Sequence, residues 1–171
     1  MKNNELKRPA KLEIENAVIR FKNFSGRESQ FNPKGRRNFV IFLDEETAEV
    51  LQKDGWNIKW KKGREEGDPD IPTLQVAVKY GEIPPQIYRI SGDSMTLETE
   101  DTVGDLDYAE IESADLVINP SLWTVGSKGG IKAYLSKAYI TIARSRFDDK
   151  YRNVKRSSID NYIDDEETPF D

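Results

Sequence analysis

Arg20, Lys22, Arg27, Lys34, Arg36 and Arg37 fall within one 18-residue window that holds a single acid, Glu28. Phe21, Phe24, Phe31 and Phe39 are interleaved with them or adjacent to them. A second group, Lys53, Lys59, Lys61, Lys62 and Arg64, surrounds Trp56 and Trp60. Trp123, Lys128, Lys132 and Tyr134 repeat the mixture further along. Cations in this density neutralise phosphates and release their counterions. Exposed rings stack bases, at about 1–3 kcal/mol each and with little regard to which base. The pattern suits a groove for a flexible polyanionic strand. The competing use of the rings is burial, since Phe and Trp are more often core than surface. Phe39, Ile41 and Phe42 lie on one strand, which buries alternate residues, so part of that set belongs to the core. Phe31 lies mid-loop between basic residues and is best placed to stack, followed by Trp60 and Trp123.

The residues available for catalysis are few. The chain has no cysteine and no histidine. That excludes Cys/His zinc sites, disulfides, thiol nucleophiles and His-based triads. The one acidic cluster is Glu98, Glu100, Asp101, Asp105, Asp107, Glu110 and Glu112. Hard divalent cations favour such oxygens, and a metal-dependent nuclease is the enzyme alternative. Two-metal sites draw acids from separate rigid elements, whereas these are close in sequence and interrupted by Gly104. They read as a solvated loop. The expectation is a binding protein and not an enzyme, with no cofactor and no metal.

The formal net charge of -5 conceals a segregation. Residues 160–171 carry six of the acids and no base, which leaves 26 basic residues against 25 acidic ones elsewhere. Asp164, Asp165, Glu166 and Glu167 repel one another and bury nothing, so a disordered tail is expected. Pro169 and Phe170 then place an apolar pair near the chain end. A ring on a solvated tail calls for a partner with a pocket, and the flanking acids would steer it to a basic rim.

These residues need a scaffold. With 171 residues there is enough chain for one domain with a core plus tails. The hydropathy pattern gives strands over Leu12–Phe24, Asn38–Leu43, Trp56–Trp60, Thr73–Tyr80, Gln86–Ser91, Leu106–Asn119 with a bulge, and Gly130–Ala143. Asp44 is an N-cap for a helix over Glu45–Lys53, with Gly55 near its end. Ser25–Arg37, Lys61–Pro72 and the acidic Ser94–Asp105 read as loops, and Ser127–Gly130 as a turn. The chain becomes linker and tail from Phe147. About seven strands and one short helix fit a mainly β, OB-fold-like Greek-key barrel with insertions; a β-sandwich stays open as the alternative. The domain expectation is a flexible arm over residues 1–11, a binding domain over 12–147, and a linker with acidic tail over 148–171. No apolar run approaches the roughly 20 residues of a spanning helix, and the N-terminus lacks the apolar stretch of a signal peptide. A cytoplasmic protein without membrane contact is expected.

The tip Asp164-Asp165-Glu166-Glu167-Thr168-Pro169-Phe170 resembles the C-terminal tip of bacterial single-stranded-DNA-binding proteins, where consecutive acids precede Ile-Pro-Phe. Some phage single-strand binders also end in an acidic tail with a terminal aromatic. Thr168 departs from the apolar residue of the bacterial motif, and Asp171 moves the terminal carboxylate off the phenylalanine. The body resembles a group of phage single-stranded-DNA-binding proteins through Asn16–Phe21, Asn32–Phe39, Asp54–Trp60 and Gly130–Leu135, over roughly residues 12–143. The resemblance implies an OB-type fold with DNA beside the Arg-rich loop. It implies coating of single strands in replication and recombination, in the host cytoplasm for a phage-encoded chain. It also implies recruitment of replication and recombination proteins by the tail, which competes with DNA for the groove. On physical grounds the DNA-contacting set is Arg20, Lys22, Arg27, Phe31, Lys34, Arg36, Arg37, Trp56, Lys59, Trp60, Lys61, Arg64, Trp123, Lys128, Lys132 and Tyr134. A strand-annealing or mediator protein would share these features, and a homodimer or higher oligomer fits a short site. A decoy whose tail mimics DNA would leave the basic-aromatic window without a use.

Overall fold

The computed structural model describes residues 8–144, 146–151 and 154. Its strands are β1 (Leu12–Ile14), β2 (Val18–Asn23), β3 (Arg37–Phe42), β4 (Ile58–Lys61), β5 (Ile71–Val78), β6 (Gln86–Ser91), β7 (Ser94–Glu98), β8 (Ile111–Val125) and β9 (Lys128–Ile142). Helix α1 (Glu45–Lys53) follows β3, a 3-10 helix spans Val103–Asp107, and α2 (Arg146–Tyr151) follows β9. The strands form one sheet in the order β1-β8-β9-β5-β3-β2, with β4 added to β5 and the β6–β7 pair added to β9. The fold is mainly β, and the sheet curls into an OB-like half-barrel.

Strand β9 organises the curl. One edge pairs antiparallel with β8 along its whole length. The other edge is divided, running parallel to β5 at Ala133 and Tyr134 and then parallel to β6 from Lys137 to Thr141. Alternation sorts the side chains by face. Phe39 and Ile41 of β3, Leu74, Val76 and Val78 of β5, and Ile131, Ala133 and Leu135 of β9 point into one buried core. Asn38, Gln75, Ala77, Lys132 and Tyr134 alternate with them and point to the other face.

Helix α1 forms as its local signals require. The Asp44 carboxylate accepts from the Thr47 backbone N–H at 2.9 Å, Glu45 and Glu46 occupy the first turn, and Lys53 the last. Gly55 then takes φ of 102°, a left-handed conformation that costs glycine little. Ala48 and Leu51 seal the helix onto the core.

Several expectations change. Trp56, expected among the DNA contacts, is core: it is 3% exposed, and its backbone bridges to Ile131 of β9 just before β4 begins. The acidic stretch expected as loop contains β7 and the 3-10 helix. The Glu98 carboxylate of β7 is tolerated inside because Arg89 Nε lies 3.0 Å away. The β8–β9 hairpin reaches further than expected, with its turn at Gly126-Ser127 and Gly126 at φ of 60°. Gly129 and Gly130 are therefore strand residues. The expected bulge is present as a register shift between Val117 and Ile118. Helix α2 occupies the start of the expected linker. The acidic tail and residues 1–7 of the expected N-terminal arm lie outside the described residues.

Candidate nucleic-acid interface

The basic loop between β2 and β3 is braced at every level. At its base the Asp107 carboxylate, 1% exposed, accepts from Phe24 N at 2.6 Å, Ser25 N at 3.0 Å and Ser25 Oγ at 2.7 Å. Arg37 Nε donates to Phe24 O at 2.9 Å from the opposite side. Gly35 N donates to Gly26 O at 2.8 Å, and a Cβ on Gly26 would sit only 3.0 Å from the Gly35 carbonyl carbon. That close approach, with φ of 72°, requires glycine at position 26. Higher up, Asn32 Nδ2 donates to the carbonyls of Arg27 and Arg36, both at 2.9 Å. Asn38 Nδ2 donates to Asn32 Oδ1 at 2.9 Å, tying the loop to the sheet. The loop is thus a preformed platform. It presents Phe31 with its side chain in solvent, 90% exposed, and carries Arg27, Lys34 and Arg36 around it.

Below the loop runs an open groove on the solvent face of β3, β5 and β9. Register fixes its floor. Asn38 pairs with Ala77, Ala77 with Tyr134, and Tyr134 with Asn119, giving one cross-strand row. Ala77 leaves the middle of that row shallow. Arg36, Asn38, Gln75, Trp123 and Lys132 line one end, while Lys34, Lys79, Tyr80 and Glu100 join Arg36 and Lys132 at the centre. Lys79, Ile83, Asn119 and Tyr134 continue it at the far end. Trp123 is held flat over Gly130, where a Cβ would lie 3.1 Å from the indole, and it stays 40% exposed. Lys132 Nζ lies 5.2 Å from the Tyr134 ring centroid. Cations, aromatic faces and the amides of Asn38 and Gln75 therefore line one open groove.

The sequence-derived set divides. Lys34, Arg36, Trp123, Lys132 and Tyr134 meet in the groove, and Phe31 and Arg27 stand on the loop beside it. Lys128 is exposed at the tip of the β8–β9 hairpin, and Arg64 is exposed on the loop after β4. Lys59 and Lys61 are exposed on β4. Arg20 lies over the Phe42 ring at 5.6 Å on the solvent face of β2 and β3.

Besides Trp56, three members are engaged in contacts within the fold. Lys22 turns inward and donates to the carbonyls of Leu106 and Ala109. Burial lowers its pKa, opposed by the charge of Asp107. Arg37 borders the groove, but its guanidinium is committed to Phe24 O, to Glu100 at 3.5 Å and to the face of Tyr80 at 5.3 Å. Trp60 is half-buried, and its indole N–H donates to Gln52 of α1 at 3.0 Å. Asn38, Gln75, Ala77, Lys79 and Asn119 also line the groove and stand outside the sequence-derived set; their signal in the sequence is the strand phase opposite to the buried one. Of the seven clustered acids, Asp107 holds the loop, Glu100 pairs with Arg37 and Glu98 with Arg89. Among the described residues, no group of three or more such side chains is placed to hold a metal ion.

An OB-like half-barrel with a cationic, aromatic-lined groove on its solvent face is the architecture of a single-strand nucleic-acid-binding protein. The sequence matches, over residues 1–171, a family model described as "Putative phage ssDNA-binding domain", and the chain belongs to that family. Its fold is similar to the single-stranded DNA-binding protein from bacteriophage Enc34 in complex with ssDNA, at TM-score 0.52 and 9% identity over 80% of this chain and 89% of that one. A C-terminal truncation of the Enc34 protein matches at TM-score 0.50 and 9% identity, over 85% of this chain and 99% of that one. At this identity the likeness is one of fold. No curated protein matches the sequence.

Proposed function

We propose that this chain, a single-stranded-DNA-binding protein of the phage type, coats single strands without regard to sequence during phage replication and recombination, acting by binding and not by catalysis. The strand lies in the groove between the braced loop and the β8–β9 hairpin. One observation carries this reading: Lys34, Arg36, Lys79 and Lys132 converge on one channel beside Trp123 and Tyr134. The cations take phosphates, the rings take bases, and Phe31 closes over the strand from the loop. Asn38 and Gln75 offer donors and acceptors at once, which suits any base edge. Affinity for labelled poly-dT should exceed that for duplex, and should fall with salt at about 0.7 log units per decade for each phosphate contact. A chain that fails to shift poly-dT at low salt would end the proposal.

Residues 12–147 are the DNA-binding domain in this reading, and 148–171 its linker and tail. Asp164, Asp165, Glu166, Glu167, Pro169 and Phe170 dock replication and recombination proteins, and the acids compete with DNA for the groove. The segregation of six acids into residues 160–171 supports this. Assembly as a dimer or higher oligomer would add avidity to a short groove. The site of action is the host cytoplasm; no helix among the described residues is long and apolar enough to cross a membrane. Deleting residues 160–171 should tighten poly-dT binding at low salt and change it little at high salt, as measured by fluorescence anisotropy. Equal affinities at low salt would dispose of the self-competition.

A further inference from the structure

Phe21 does not line the groove, and its placement is unusual. Its φ is 53°, in the left-handed region where a bulky residue is rare. Among the described residues the other non-glycine residue with positive φ is Asn16, a type that tolerates it. The cause is a bulge, since the β2–β3 register shifts between Arg20 and Asn23. The bulge turns the Phe21 ring out of the core, and it is 60% exposed. Glycine would hold this backbone without strain and would expose no apolar surface. Backbone strain of this kind gathers where a side chain must be aimed.

The ring is aimed at a cation. Lys61 Nζ lies 4.2 Å from its centroid, although β4 and β2 are separated in the sheet by β5 and β3. Next to this pair, Arg20 covers Phe42 at 5.6 Å. Arg20 pairs with Val40, and Val40 with Gln75, which lines the groove. Two strand spacings, about 10 Å, therefore separate Arg20 from the groove wall.

We infer that Phe21 is a base-stacking residue where the strand leaves the main groove, with Lys61 and Arg20 as its phosphate-binding companions. The inference rests on the groove reading above and extends it to β2 and β4. In the free protein the Lys61 ammonium covers the ring by a cation–π contact. When a strand arrives, the flexible lysine moves to a phosphate and a base takes the ring face.

The test uses the full chain with Phe21→Gly and Phe21→Leu, titrated by anisotropy against labelled oligo-dT long enough to span groove and β2. Phe21→Gly should melt at or above the wild-type temperature, because strain is relieved, yet bind roughly tenfold more weakly. Phe21→Leu keeps the apolar bulk and loses the ring, and should show a similar loss. Wild-type affinity in either variant overturns the stacking role while leaving the groove reading intact. Failure of the wild-type chain to bind overturns both. A change confined to self-association in sedimentation, with the affinity per site unchanged, would reassign Phe21 to a contact between copies and also overturn the inference.

Discussion

Replacing Arg36 and Lys132 together with alanine should weaken single-strand binding by about 2–4 kcal/mol at low salt, from two charge-assisted phosphate contacts. These two side chains border both the Trp123 end and the centre of the groove. A strand running from the Trp123 end to the centre passes beside both of them. The slope of log affinity against log salt should also flatten, by about 1.4 for two contacts on a single strand. Both residues are exposed, so the folded state should lose no more than about 0.5 kcal/mol. Arg36 and Arg37 are the pair that the sequence offers for this experiment, but Arg37 is the wrong partner. Its guanidinium holds Phe24 O and Glu100 and lies against Tyr80. Its removal would loosen the loop and confuse a binding defect with a folding defect. Anisotropy titrations over a series of salt concentrations give both quantities. An unchanged slope would place the phosphates elsewhere.

The contrast between Arg36 and Arg37 marks the boundary of what the sequence discloses. Adjacent arginines in one basic run look alike. One faces the groove and the other is an internal strut, because Arg37's partner Glu100 lies 63 residues away. Lys22 is the same case, with carbonyl partners 84 and 87 residues distant. Where the determinants are local, the sequence suffices. Helix α1 begins and ends where Asp44 and Gly55 require, and β3 matches the β-branched and aromatic run to within one residue at each end. Phe31 could be read as exposed because Pro33 and Gly35 on one side and Gly26 on the other leave it no strand to join. Strand β7 could not be read. In Ser-Met-Thr-Leu-Glu the apolar phase, Met95 and Leu97, is exposed, while the buried side chain is Glu98, whose burial depends on Arg89 from the neighbouring strand. Trp56 is misleading for a related reason: its cationic neighbours are sequence neighbours, while its backbone bridges to Ile131 of β9 and its ring joins a core drawn from distant strands. The groove floor was hidden because Asn38, Ala77, Tyr134 and Asn119 form a row only through the pairing of four strands.

Asp107→Ala should destabilise the fold by about 2–4 kcal/mol, and this strut tests whether loop and groove are one device. The side chain is buried and holds the base of the basic loop through Phe24 N, Ser25 N and Ser25 Oγ. Alanine would strand two backbone donors in a site that water reaches poorly. It would also remove the carboxylate that favours the charged form of Lys22, whose ammonium is already disfavoured by burial. Arg27 would lose the anion that lies 3.9 Å from its Nε. Asp107→Asn keeps the shape and one acceptor but no charge, and should fall between wild type and alanine. Urea denaturation at neutral pH measures the loss, with an unchanged m-value showing that the native state is otherwise intact. Binding should then be measured at a temperature where every variant is folded. If the loop works as a preformed platform, the variants should also bind poly-dT more weakly, because ordering the loop must then be driven by DNA contacts. A large loss of stability with no loss of affinity would mean that the loop orders equally well without its anchor. The cations and Phe31 would then act as a flexible tether over the groove.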